Sequence, residues 1–219
     1  MKAISFSDAL AQGLTPGWTL GNEDGFFSNS RLGVELRRIA VMRDGRLLYD
    51  QFVVVEPVGA ATLPVDPYEQ VGLVQVWRPV AEIGQPARTG GDFDLSTIGQ
   101  LEWEIPRGFP ILGSDSAEPS DVTAIREAEE ETGRRVYDAR LLGYYRGNST
   151  FFVNAIPIWC AKLTGEGSMR PGDPNEKILR STVFERREVA RMILAGEISD
   201  GFTLAALTLY DARCDAGLI

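Results

Sequence analysis

Arg126-Glu127-Ala128-Glu129-Glu130-Glu131-Thr132-Gly133 sets four glutamates within five positions near the end of a predicted helix. Pro119 suits a first helical position, and Gly133 stands where a glycine closes a helix. Val122, Ile125 and Ala128 recur every three residues and predict the packing side. Glu127, Glu130 and Glu131, at i, i+3 and i+4, then share the opposite face. Like charges at that spacing repel, and the C-terminal end of a helix is already negative. Any fold built on this chain must hold such a helix on its apolar side and compensate the acidic one. A bound divalent cation is the simplest source of compensation. A solvated face neutralised by Arg126, Arg134 and Arg135 is the plainer alternative.

Composition narrows the chemistry. The 219 residues suffice for one large domain, or a domain with a smaller appendage. A net charge of −9 argues against broad nucleic-acid or membrane surfaces, which favour basic proteins. The chain has no histidine, which removes Ser-His-Asp and Cys-His catalysis and the usual zinc sites. Cys160 and Cys214 lack metal-ligand spacing and read as buried thiols. No signal-like segment opens the chain and no run reaches transmembrane length, so a reducing cytoplasm is the expected setting.

The first third predicts β-structure: strands over Val34–Val41, Arg46–Val55 and Val71–Val76, with Asp44-Gly45 as a hairpin turn. Gly13–Asn29 reads as irregular or short-stranded. Glu56-Pro57-Val58-Gly59 marks a boundary between a small β-rich unit, residues 1–57, and a main domain, residues 58–219. A second hairpin runs from Gly59–Thr62 through Asp66-Pro67 to Val71–Trp77. Gln85–Asp94 and Gly165–Lys177 are polar loops. Trp103–Ile105 is a short strand, Pro119–Thr132 the acidic helix, and Leu141–Tyr145, Phe151–Leu163 and Ser181–Phe184 further strands. Arg187–Leu194 and Thr203–Ala212 read as helices. The alternation predicts an α/β fold.

With these residues in view, the chain resembles the Nudix hydrolases. Their box ends in Arg-Glu-apolar-any-Glu-Glu-any-Gly, preceded by seven residues and a glutamate. Here Glu118, Pro119–Ile125 and Arg126–Gly133 match it. Glu104-Ile105-Pro106-Arg107-Gly108 looks like the segment that precedes the box. Two departures stand out. Nine residues, Phe109–Ala117, separate Gly108 from Glu118, a longer interval than the family's, read as an insertion. Arg134 follows Gly133 where an apolar residue is preferred, and Val136 is the expected replacement.

The resemblance implies an α/β/α sandwich around a mixed sheet, with a small N-terminal β-domain. It implies Mg²⁺, with Mn²⁺ as a substitute, held chiefly by Glu127 and Glu131. Glu130 would be a third ligand or an outer partner, and the Arg107 carbonyl a further oxygen. Arg126, four residues before Glu130, would orient a carboxylate. Glu176 is the expected general base, with a box glutamate as the alternative. Val74–Pro79 resembles a strand of the ADP-ribose and nucleotide-sugar branch that ends in a substrate-contacting arginine, which makes Arg78 a candidate. Glu104 joins it as a site residue, and Trp77 or Phe27 could stack on a base. Asp200-Gly201 reads as a turn needing no function. The implied activity is Mg²⁺-dependent cleavage of a nucleoside diphosphate derivative, ADP-ribose or a nucleotide sugar, into two monophosphates, by a homodimer. Two other functions compete: a Nudix hydrolase of nucleoside triphosphates, dinucleotides or dinucleoside polyphosphates, and a non-catalytic nucleotide-binding regulator.

Overall fold

The computed structural model describes residues 2–13, 25–29, 33–81, 98–112, 117–164 and 178–219. The predicted loops Gln85–Asp94 and Gly165–Lys177, and with them Glu176, lie outside the described residues. The chain divides into two compact units, residues 1–58 with 146–155, and residues 59–145 with 156–219.

The first unit contains β1 (Lys2–Ser5), α1 (Phe6–Ala11), β2 (Gly25–Asn29), β3 (Val34–Arg43) and β4 (Arg46–Val55). β3 is the shared partner: β4 pairs along it, and β1 and β2 pair with its two halves, all antiparallel. Asp44 and Gly45 both take positive φ, 50° and 75°, the left-handed pair that a tight two-residue hairpin needs. Arg38 and Asp50 lie on one face of this sheet. Arg38 Nε donates to Asp50 Oδ2 at 2.6 Å, and both side chains are buried. Residues 146–155 join this unit through the Phe151 carbonyl, which accepts from Val54 N–H at 2.7 Å. The run predicted as one strand from Phe151 is therefore split. Its first residues follow Val54, and the strand proper begins at Ile156.

The second unit contains β5 (Ala60–Val65), β6 (Val71–Ala81), β7 (Ile98–Glu104), β8 (Arg107–Gly108), α2 (Ser120–Thr132), β9 (Arg135–Tyr145), β10 (Ile156–Thr164), β11 (Ile178–Phe184), α3 (Arg186–Leu194) and α4 (Gly201–Asp215). Among the described residues the sheet runs β11-β6-β5-β10-β9, with β7 on β6 and β8 on β5. The β5/β10 pair is parallel and the others antiparallel, so the sheet is mixed.

β5 is buried on both faces, and its alternation assigns the layers. Ala61, Leu63 and Val65 pack with Leu73, Ile158, Val189 and Met192, and with Ala206 and Leu207 of α4. On the other face Thr62 Oγ1 donates to the Ala124 carbonyl of α2 at 2.9 Å. Ala128 of α2 packs there with Ala161, Leu163 and Val136. Val136 is buried after Arg134 and supplies the apolar contact beyond Gly133. The result is the expected α/β/α sandwich. Fully burying a leucine such as Leu63 or Leu73 is worth about 1.5–3 kcal/mol, so this two-sided core carries the unit.

One topological detail positions the functional residues. β5 and β6 pair only at Val65↔Val71 and then diverge. The chain from Ile98 to Gly108 occupies the opening. β7 pairs with β6, the Pro106 carbonyl accepts from Thr62 N–H at 2.9 Å, and β8 pairs with Ala60 and Ala61.

Candidate active site

α2 begins one residue later than the proline pattern predicts. Pro119 is the N-cap, with ψ 144°, and Ser120 is the first helical residue. Its C-terminus follows the pattern: Gly133 takes φ 66°, and its N–H donates to the Glu129 carbonyl at 2.9 Å.

The packing side is rotated from the expected one: Ala128 is buried and Ile125 half-buried as predicted, but Val122 is not. Val122 is 46% exposed, whereas Thr123, Ala124, Glu127, Ala128 and Glu131 are buried. Apolar spacing misassigned the face because the inward stripe combines small residues with two acids. The four glutamates consequently separate. Glu127 and Glu131, one turn apart, are 9% and 5% exposed. Glu130 is half exposed, and Glu129 turns away to accept the Val136 N–H at 3.0 Å.

Gly108 explains how Glu127 fits. A Cβ at position 108 would run into the Glu127 carboxyl group, so the absent side chain makes room for it. The acidic face of α2 thus lies against the strand end that fills the gap between β5 and β6.

Arg126 ties the helix to its surroundings. Its Nη2 donates to the Phe109 carbonyl and to Glu118 Oε2, each at 2.9 Å. Its Nη1 donates to Glu127 Oε1 at 2.8 Å and to Glu130 Oε2 at 3.1 Å. The Glu130 pairing is the one the sequence spacing anticipates. Glu118 was only a spacing marker in the sequence, yet it is the second centre of this cluster. It also accepts from Thr123 Oγ1 at 2.9 Å and from the Ile111 N–H at 3.3 Å. The hydrogen bond to Arg126 holds its carboxyl below the usual range, and Arg126 is raised in return, chiefly by Glu118.

The same residue absorbs the insertion. Glu118 N–H donates to the Ile111 carbonyl at 3.0 Å, and Leu112 bridges Ala117. These contacts bring the two described ends of the longer interval together. Gly108 and α2 remain apposed despite the longer interval.

A second cluster sits at the same end of β6. Glu104 is 1% exposed. Arg78 Nε donates to its Oε1 at 2.9 Å, and Arg107 Nη2 to its Oε2 at 2.9 Å. Burial raises its pKa, opposed first by the charge of Arg107 and then by the hydrogen bond and charge of Arg78. The Arg107 Nη1 reaches Asp200 Oδ1 at 2.9 Å. Trp77, beside Arg78, is 40% exposed and lies across Gly99, leaving no room for a side chain there. The side chain of Phe27 is not among those described.

Other chemistry is poorly served. A cavity of about 490 Å³ lies at the opposite end of β5, lined by Val65, Asp66, Tyr137, Lys162 and Cys160. Burial pushes the Cys160 thiol up to about 12, too high for a ready nucleophile. Cys214 is exposed rather than buried, and neither cysteine is bonded. No helix among the described residues is long and apolar enough to cross a membrane.

The donor chemistry of α2 fits a hard cation, since Glu127 and Glu131 offer carboxylate oxygens one turn apart. Among the described residues no three Asp, Glu or Cys side chains gather into a group that could hold a metal ion. Two carboxylates suit an ion that keeps waters and binds substrate oxygen, and Mg²⁺ behaves so.

No model of a protein family matches the chain. A solved structure described as "Crystal structure of ADP compounds hydrolase" is similar, with TM-score 0.58 and 16% identity, over 89% of this chain and 93% of that one. The fold is of the Nudix type. At this identity the likeness bears on the fold, and the chemistry has to be argued from the residues.

Proposed function

We propose that this chain is a Mg²⁺-dependent Nudix pyrophosphatase that splits the diphosphate of a nucleoside diphosphate derivative, ADP-ribose or a nucleotide sugar, into two monophosphates. The observation that carries this reading is the pair Glu127 and Glu131, buried one turn apart, with Glu127 against the side-chain-free Gly108. Two carboxylates at this spacing supply the oxygen donors that a hard cation takes.

In this reading Glu127 and Glu131 hold the metal. Glu130, half exposed, is an outer partner, and the Arg107 carbonyl adds an oxygen. When bound, Mg²⁺ neutralises diphosphate oxygens and lowers the pKa of a water. Water oxygen attacks one phosphorus, the bridging P–O bond breaks, and the other phosphate leaves with the bond's electrons. A carboxylate takes the water's proton. Glu176 is the proposed base, and a box glutamate the alternative. Arg126 keeps Glu127 turned toward its task through the 2.8 Å bond. Arg78, 31% exposed, is the proposed contact for substrate phosphate, and the exposed Trp77 offers a surface for the base. Glu104 is enclosed by two guanidinium groups, so its part is to hold Arg78 rather than to touch substrate. Mn²⁺ substitutes for Mg²⁺, and the working unit is a homodimer.

The test is a panel of ADP-ribose, nucleotide sugars, dinucleotides and triphosphates with Mg²⁺, assayed for monophosphate release. Preferred cleavage of the diphosphate-linked compounds supports the reading. Preference for triphosphates moves the chain to another hydrolase type, and no turnover of any compound favours a binding module.

A further inference from the structure

We propose that Asp200 is a positioning residue of this site, acting through Arg107 to fix the Glu104–Gly108 segment beneath the acidic helix. The inference rests on the hydrolase reading above.

Asp200 divides its oxygens between two tasks. Oδ2 accepts from Thr203 N–H at 2.9 Å and from Thr203 Oγ1 at 2.8 Å, as the N-cap of α4. Oδ1 accepts from Arg107 Nη1 at 2.9 Å. Capping needs one oxygen, and serine or asparagine serves as well. The second oxygen is therefore beyond what α4 requires.

Its effect is on the strand end. Thr203 Oγ1 accepts from the Ile105 N–H at 3.0 Å, so α4 grips the segment by its backbone. Arg107 grips it by its side chain, bonded to Asp200 on one arm and to buried Glu104 on the other. The guanidinium lies over Phe202, 4.6 Å from the ring centroid, and Phe202 meets Tyr145 edge to face. Gly108, the next residue, forms the surface against which Glu127 rests. A shift of Arg107 moves that surface and the Arg107 carbonyl together.

Asp200→Ser separates the two tasks, because it keeps a capping oxygen and removes the acceptor for Arg107. Its thermal midpoint should stay close to wild type. Its kcat should fall by about ten- to a hundredfold, as misplacement of a reacting group does. KM should stay within about threefold, since substrate binding through Arg78 is kept. Arg107→Met should show the same loss, and the double variant no more than either single one. Unchanged kcat in Asp200→Ser, a lowered midpoint with unchanged kcat, or multiplying losses would overturn the inference. Glu131→Gln, assayed alongside, separates the two ideas. If it keeps full rate, the metal-face reading falls. If it is inactive and Asp200→Ser is unimpaired, only the role of Asp200 falls. Should no diphosphate be cleaved, nitrogen-labelled arginine spectra decide. Arg107 guanidinium protons should exchange with water about tenfold faster in Asp200→Ser than in wild type, and equal exchange refutes the role.

Discussion

Arg126 and Arg107 are both guanidinium groups bonded by more than one carboxylate, but the carboxylate partners of Arg126 are all within eight positions of it, whereas Arg107 also reaches Asp200, 93 positions away. Arg126 serves Glu118, Glu127 and Glu130 together, with Glu131 one turn beyond Glu127. Among the described residues, Glu104 is bonded by Arg78 and Arg107, and Arg107 also by Asp200. In the first unit, buried Arg38 is paired with buried Asp50. Such pairs hold strands and helices in place. The acid-rich set around Arg126 is the one suited to recruit a cation, and it is the one that Gly108 opens to.

That comparison can be broken at either side, and the largest effect should come from the acid-rich set. Glu131→Gln keeps shape and removes charge. Its turnover of the preferred diphosphate should drop by about a thousandfold or more if the residue holds metal, with a thermal midpoint near wild type. Activity within a few-fold would make the acid excess structural. Gly108→Ala comes next. The added methyl displaces the Glu127 carboxyl, so we expect roughly a hundredfold loss of kcat and about 1–3 kcal/mol of stability by urea unfolding. An active Gly108→Ala variant would show that the apposition with Glu127 is dispensable.

Arg126→Met should cost about 2 kcal/mol, because several charge-assisted bonds to partly buried acceptors go at once. A smaller loss in urea would mean that Glu118 and the Phe109 carbonyl find other donors. The smallest effect is a pH dependence. Glu118 is held below its ordinary value of 4.5 by Arg126. Its stabilisation is thus present above the unfolded pKa and is lost as pH falls through the lower folded value. The urea midpoint should decline more steeply on acidification in wild type than in Glu118→Gln. Parallel declines would remove Glu118 from the set.

The legibility of these residues followed their interactions. Asp44-Gly45 needs only local backbone conformation, and it forms the turn its sequence predicts. Gly133 ends α2 for the same reason. Failures came where a distant partner decided. Val122 fits the apolar period and is exposed, because the inward face of α2 is set by Thr123, Ala124, Glu127, Ala128 and Glu131, which meet both the sheet and Gly108. Phe151 reads as strand and instead follows Val54, a partner far away in sequence. Asp200 reads as a turn residue, and its bond to Arg107 spans 93 positions that no local pattern encodes.

The sequence by itself determined that a capped helix with clustered acids and α/β alternation would form, since spacing, end signals and charge are properties of neighbouring residues. The tertiary structure decided which acids are buried, that Glu118 bonds the Ile111 backbone, and that Arg107 is shared by Glu104 and Asp200. Those outcomes depend on which strands diverge and what fills the gap. Only long-range packing sets that geometry.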